Sequence, residues 1–133
     1  MPVDFKSQRM IDHHEKSKTN KHIIYHWYYT GKGRNWEPGS PRWGGIGRSC
    51  FSTLEQIRER YAIEDWEFTE GLRGDRFMLK MVRKYTAENN IGLRMLCSGL
   101  SFAEAADAEN YFRPEGYNKT LDSRIWNTIA GGI

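Results

Sequence analysis

The stretch Ile91-Gly-Leu-Arg-Met-Leu-Cys-Ser-Gly-Leu-Ser-Phe-Ala-Glu-Ala-Ala-Asp-Ala-Glu-Asn-Tyr-Phe-Arg-Pro114 changes its period halfway along. Over 91–97, Ile91, Leu93, Met95 and Cys97 alternate against Arg94, the pattern of a strand. Ser101 followed by Glu104 is a capping-box pair that opens a helix, and Pro114 marks its end. At ~100° per residue, Phe102, Ala105, Ala106, Glu109 and Phe112 share one stripe, with Glu104, Asp107 and Tyr111 opposite. Glu109 therefore points toward the core. A carboxylate there must be paired, hydrogen-bonded or on a metal, because its desolvation is expensive.

Working outward, His22-Ile-Ile-Tyr-His-Trp-Tyr-Tyr29 is β-branched and aromatic, and alternation puts Ile23, Tyr25, Trp27 and Tyr29 on one face of a strand. Gly31 to Pro41 is a loop by its glycines and prolines, and Arg42-Trp-Gly-Gly-Ile-Gly47 is a second short strand, hairpin-paired with the first. Ser52-Thr-Leu-Glu55 is a capping-box pattern for a helix to about Tyr61, with Leu54, Ile57, Arg58 and Tyr61 on one face. Residues 62–74 are expected to be a connection with one extended piece around Trp66-Glu-Phe68. Asp75 is the expected cap of a helix that buries Phe77, Met78, Met81, Val82 and Tyr85. The expected class is α+β: a small three-stranded antiparallel sheet flanked by helices, in the order β-β-α-α-β-α. Residues 1–21 form a basic N-terminal arm and 22–133 a single domain.

A chain of 133 residues, 38 % hydrophobic and 14 % aromatic, suits one folded core. No apolar run approaches the ~20 residues of a membrane span, and Met-Pro-Val-Asp-Phe-Lys6 is not a signal peptide. Cys50 and Cys97 have no ligand spacing and are expected as reduced thiols in the cytoplasm. Residues 1–50 carry nine Lys/Arg against four Asp/Glu, and residues 51–133 eleven against thirteen, so the +3 net charge is concentrated at the front. A basic half with interleaved aromatics suits a polyanion, although solvated surface charge explains it as well.

His13-His-Glu15 and the His22/His26 pair have no metal-site spacing for the elements they fall on. Gly31-Lys-Gly-Arg34 is too short for a P-loop and fits a plain turn or a phosphate-touching loop; Arg73-Gly-Asp75 is a chance tripeptide. Neither cysteine has a nucleophile motif. What remains is Tyr25, Arg58 or a neighbouring Arg, Glu109 and Asn127, a combination suited to phosphodiester hydrolysis. Glu109 is a hard-cation ligand, an Arg steadies phosphorane charge, and a phenol orients or deprotonates a water. Taken singly, each reads more readily without function: Tyr25 as a core aromatic, Arg58 as a surface charge and Asn127 as a turn residue.

The order and residues resemble the GIY-YIG nuclease family over about 22–133. Ile23-Ile-Tyr25 looks like its first tripeptide and Gly45-Ile-Gly47, followed by Arg48-Ser49, like its second. Thr53 to Tyr61 resembles its Arg helix, Phe77 to Tyr85 its second helix, and Met95 to Glu109 its strand and Glu helix. Phe112-Arg-Pro114, Trp126-Asn127 and Gly131-Gly132 are similar to the ending of small phage-type members. The pattern departs at three places: Ile23 stands for a glycine, Gly45 for a tyrosine and Ile57 for the catalytic Arg, with Arg58 the nearest substitute. The resemblance implies a DNA endonuclease in which Glu109 binds Mg²⁺ or Mn²⁺, Tyr25 acts on the attacking water, Arg58 stabilises the phosphate and Asn127 supports the site. Lys18, Lys21, Lys32, Arg34, Arg42 and Arg48 would contact phosphates without reading sequence. The departures leave a second expectation open: a non-catalytic module on the same fold that grips nucleic acid or a host protein.

Overall fold

In the strand His22–Tyr29 (β1), the first six residues are buried on both faces, so β1 must be central. The computed structural model describes residues 21–31, 44–51, 53–112 and 126. Gly44–Ser49 (β2) and Ile91–Leu100 (β3) pair antiparallel with β1 on either side, in the order β2-β1-β3. The helices are Leu54–Thr69 (α1), Phe77–Ala87 (α2) and Phe102–Phe112 (α3). This is the expected α+β class and element order. No helix among the described residues is long and apolar enough to cross a membrane.

The two faces of the sheet carry separate cores. Ile23, Tyr25 and Trp27 pack with Ile57, Tyr61, Leu79 and Val82 of α1 and α2. Ile24 and Ile46 pack with Ala105 of α3. Trp126 closes the first core: its ring stacks on Tyr85, and its backbone N–H donates to the Gly44 carbonyl.

Several boundaries differ from the expected ones. The second strand is described as Gly44–Ser49, two residues past the expected end at 47, with 42–43 outside the described residues, and the third extends to Leu100. The α1 cap is Thr53 with Gln56, one residue later than Ser52 with Glu55. Helix α1 continues to Thr69, through the residues read as a connection and an extended piece. Past Tyr61 the buried face continues through Glu64 and Glu67 as ion-paired groups, and Phe68 rejoins the core. Asp75 does not cap α2: the cap position is Arg76, without a side-chain bond, and Asp75 grips Arg83 through two hydrogen bonds.

Both α1 and α2 end with a left-handed residue, Gly71 (φ 76°) and Asn89 (φ 56°). In each, the next residue's N–H returns to a carbonyl of the last turn: Leu72 to Glu67 and Asn90 to Tyr85. A register shift between Ile24 and Tyr25 skips Leu96, so β3 carries a bulge there. The bulge reverses the expected alternation: Leu93 stays in the α1/α2 core, whereas Cys97 moves to the α3 side with Ile24. The Ser101–Glu104 capping box forms as expected.

Candidate functional site

Three successive residues of β2 each receive a polar group from elsewhere. At Gly47 the Tyr25 ring crosses the strand; a Cβ there would lie 2.5 Å from the phenol oxygen, so only glycine admits it. At Arg48, on the opposite face, the guanidinium Nε stands 3.8 Å from the Glu109 carboxylate and over the Phe102 ring. At Ser49, back on the first face, the hydroxyl accepts from Arg60 at 3.5 Å and from the Phe51 N–H at 3.0 Å.

Behind Tyr25 lies a buried polar cluster. The Tyr25 and Tyr61 hydroxyls are 3.0 Å apart, and both residues are at most 3 % exposed. Burial, then Tyr25, pushes the Tyr61 phenol well above its ordinary range, so Tyr61 stays protonated. Arg60 and Arg76 flank the pair, each over the Tyr61 ring. Burial works against the Arg60 charge, but Tyr25, Tyr61 and Glu64 outweigh it and hold Arg60 cationic. Glu64 is the counter-charge: Arg60, Arg73 and Arg76 reach its carboxylate at 3.7, 3.4 and 2.6 Å. Burial raises Glu64, but Arg76 and Arg60 more than offset it and leave the carboxyl below its ordinary range.

The expected site residues are therefore divided. Tyr25 is buried in the α1/α2 core and Glu109, 6 % exposed, is buried under α3, with the sheet between them. Arg58 is exposed and lies over the Trp27 ring, 5.4 Å to its centroid. The guanidinium beside Tyr25 is that of Arg60 instead. Arg60 falls three residues after Ile57 and four before Glu64, a spacing that puts it on the flank of the buried face. Arg48 is half-buried beside Glu109, and Lys21 is exposed. Lys18, Lys32, Arg34, Arg42 and Asn127 lie outside the described residues. Tyr61, Glu64 and Arg76 entered no sequence expectation as polar site groups; the repeat of Arg and Glu at 58–76 was the available clue.

As a metal ligand, Glu109 offers one hard carboxylate. That donor suits Mg²⁺ or Mn²⁺ only where water and phosphate oxygens complete the shell. Among the described residues no group of three or more His, Cys, Asp or Glu converges to form a protein cage. Comparison with protein-family models, curated proteins and solved structures found no match.

Proposed function

We propose that this chain is a GIY-YIG-like endonuclease that hydrolyses phosphodiester bonds of DNA, of the small phage or mobile-element type. The observation that carries the reading is the succession along β2, where Gly47 and Ser49 meet a phenol and a guanidinium on one face and Arg48 meets a carboxylate on the other. These are the three groups that phosphodiester hydrolysis uses. Tyr25 orients the attacking water, and its hydrogen bond to Tyr61 fixes the phenol's direction. Arg60 takes the role first expected of Arg58, stabilising charge on the phosphate. Glu109 would hold Mg²⁺ or Mn²⁺, which when bound supplies a Lewis acid for the phosphate oxygens. Cys50 and Cys97, neither in a disulfide, suit the reducing cytoplasm of a host cell.

The test is nicking of supercoiled plasmid with Mg²⁺ or Mn²⁺, wild type beside Glu109→Ala. Loss of about 100-fold or more in the variant is expected, the size of a removed electrostatic group. Equal nicking by both, or none by either, overturns the reading.

A second reading is a non-catalytic member of the same fold that grips nucleic acid or a host protein. It is favoured by the Tyr25 hydroxyl being engaged by Tyr61 and by the sheet standing between Tyr25 and Glu109. Uncut DNA bound with affinity that falls by roughly one power of salt per phosphate contact marks a nucleic-acid binder. Tight binding of a protein that ignores salt marks the other partner.

A further inference from the structure

Three guanidinium groups converge beside the Tyr25–Tyr61 pair from separate places in the chain. Arg60 comes from the middle of α1, Arg73 from the turn after it and Arg76 from the position before α2. The acids they meet are two: Glu64, reached by all three, and Glu67, reached by Arg73 at 3.5 Å. One positive charge is therefore in excess among the described residues of this group. Two arginines suffice to neutralise two buried carboxylates. A third, crowded by its like charges, is unfavourable unless an anion joins the group. Exposure marks where an anion can enter. The side chains of Arg60 and Arg73 are 16 % and 20 % exposed, whereas that of Arg76 is 40 %. Arg76 gives one Nη to Glu64 at 2.6 Å, which leaves most of its five-donor fork for solvent or a ligand. Arg83 is the contrast: one guanidinium facing two carboxylates, Asp65 and Asp75, with no charge left over. Arg76 also lies over the Tyr61 ring, whose hydroxyl bonds that of Tyr25, so the open cation stands one side chain from the phenol.

We propose that Arg76, supported by Arg73, holds the DNA phosphate next to the one that Arg60 and Tyr25 meet. A phosphodiester carries a single negative charge, which equals the excess, and its oxygens suit the planar fork of an arginine. Contact with the backbone positions the strand without reading its sequence. The inference rests on the reading of this chain as one that acts on DNA, but not on cleavage, so it and the endonuclease reading fail separately.

The experiment follows the fluorescence anisotropy of a short labelled DNA duplex in EDTA, where no strand is cut, over a range of salt. Arg76→Gln should weaken binding about tenfold and lower the slope of log affinity against log salt by about one, equally on two unrelated sequences. Arg76→Lys, which keeps the charge, should keep the slope. Arg83→Gln, which removes an arginine already matched by acids, should change neither quantity. A role confined to holding Glu64 would lower the stability of Arg76→Gln but leave the salt slope where it was. A second measurement needs no variant to bind: in ¹⁵N-labelled wild type, the Arg76 Nε–H resonance should move as duplex is added, and that of Arg83 should stay. An unchanged slope in Arg76→Gln, an equal loss in Arg83→Gln, or no binding of duplex by the wild type overturns the proposal. A shift of Arg76 with inorganic phosphate and none with duplex assigns the group to a free anion and overturns its role on DNA. Absence of nicking, with the slope and the shift as expected, overturns the endonuclease reading alone.

Discussion

Acid should weaken this fold well before its carboxylates titrate, because of His26. The side chain is 0 % exposed in the central strand. Its Nδ1 accepts from Arg94 Nε at 3.0 Å, so the neutral ring carries its proton on Nε2. Burial first, and Arg94 second, bring its pKa from 6.5 down to about 3. The unfolded chain protonates this imidazole below pH 6.5, while the folded chain keeps it neutral. Stability from the neutral form is therefore present above pH 6.5 and lost progressively as pH falls toward 3. At 1.36 kcal/mol per pKa unit, the 1.5 units between 6.5 and 5 amount to about 2 kcal/mol. Urea unfolding at pH 7 and pH 5 measures it. His26→Asn, whose carbonyl can accept from Arg94, should remove most of that difference whatever its stability at pH 7. His22, also lowered by burial and then by Arg48, leaves a smaller slope of the same sign. A wild type equally stable at both pH values, or a His26→Asn protein with the full slope, would refute the reasoning.

Glu64→Ala strips the counter-charge from Arg60, Arg73 and Arg76 and should cost about 3 kcal/mol in urea unfolding at pH 7. Because the Glu64 carboxyl is held below its ordinary range, that contribution is full above pH 4.5 and fades as pH falls through the folded value. Gly47→Ala places a methyl against the Tyr25 phenol and should cost about 1–3 kcal/mol by the same assay. Gly47→Ala combined with Tyr25→Phe should recover part of it, since the closest clash is with the hydroxyl. Thr53→Ala removes the hydroxyl that accepts from the Gln56 N–H, one half of the α1 capping box, and should cost about 1 kcal/mol, read as a shift in urea midpoint without a change in slope.

The parts of the fold legible in the sequence are those decided locally. The Ser101–Glu104 box needs only residues within one helix and stands as read; of the stripe carrying Glu109, Ala105 and Glu109 are buried, whereas Phe102, expected with them, is 57 % exposed. β1 was legible as a strand from its β-branched and aromatic residues, but alternation assigned it one buried face where the first six residues are buried on both. The second half of α1 was not, since Glu64 and Glu67 occupy buried positions that only the later Arg73 and Arg76 make tolerable. Gly71, in its left-handed cap, was the one local mark of that helix end. The Leu96 bulge depends on the β1 pairing, so strict alternation misassigned Cys97. At the site, Tyr25 and Glu109 were legible as inward-facing, but not that the sheet would part them. Arg58 was preferred to Arg60 because it shares the Leu54–Tyr61 face; the Tyr25 phenol, reaching across Gly47, meets the other flank.

The β3 bulge also bears on how copies of the chain behave toward one another. β3 is a ten-residue strand at the edge of the described sheet. A flat edge of that length is a template on which another molecule could continue the sheet. The skipped Leu96 and the left-handed Gly99 (φ 69°) bend it, and Arg94 sets a guanidinium near its middle. The irregularity that misplaced Cys97 thus keeps the outer ladder from offering a straight run of backbone groups. A variant that straightens β3 should therefore self-associate more readily at high concentration.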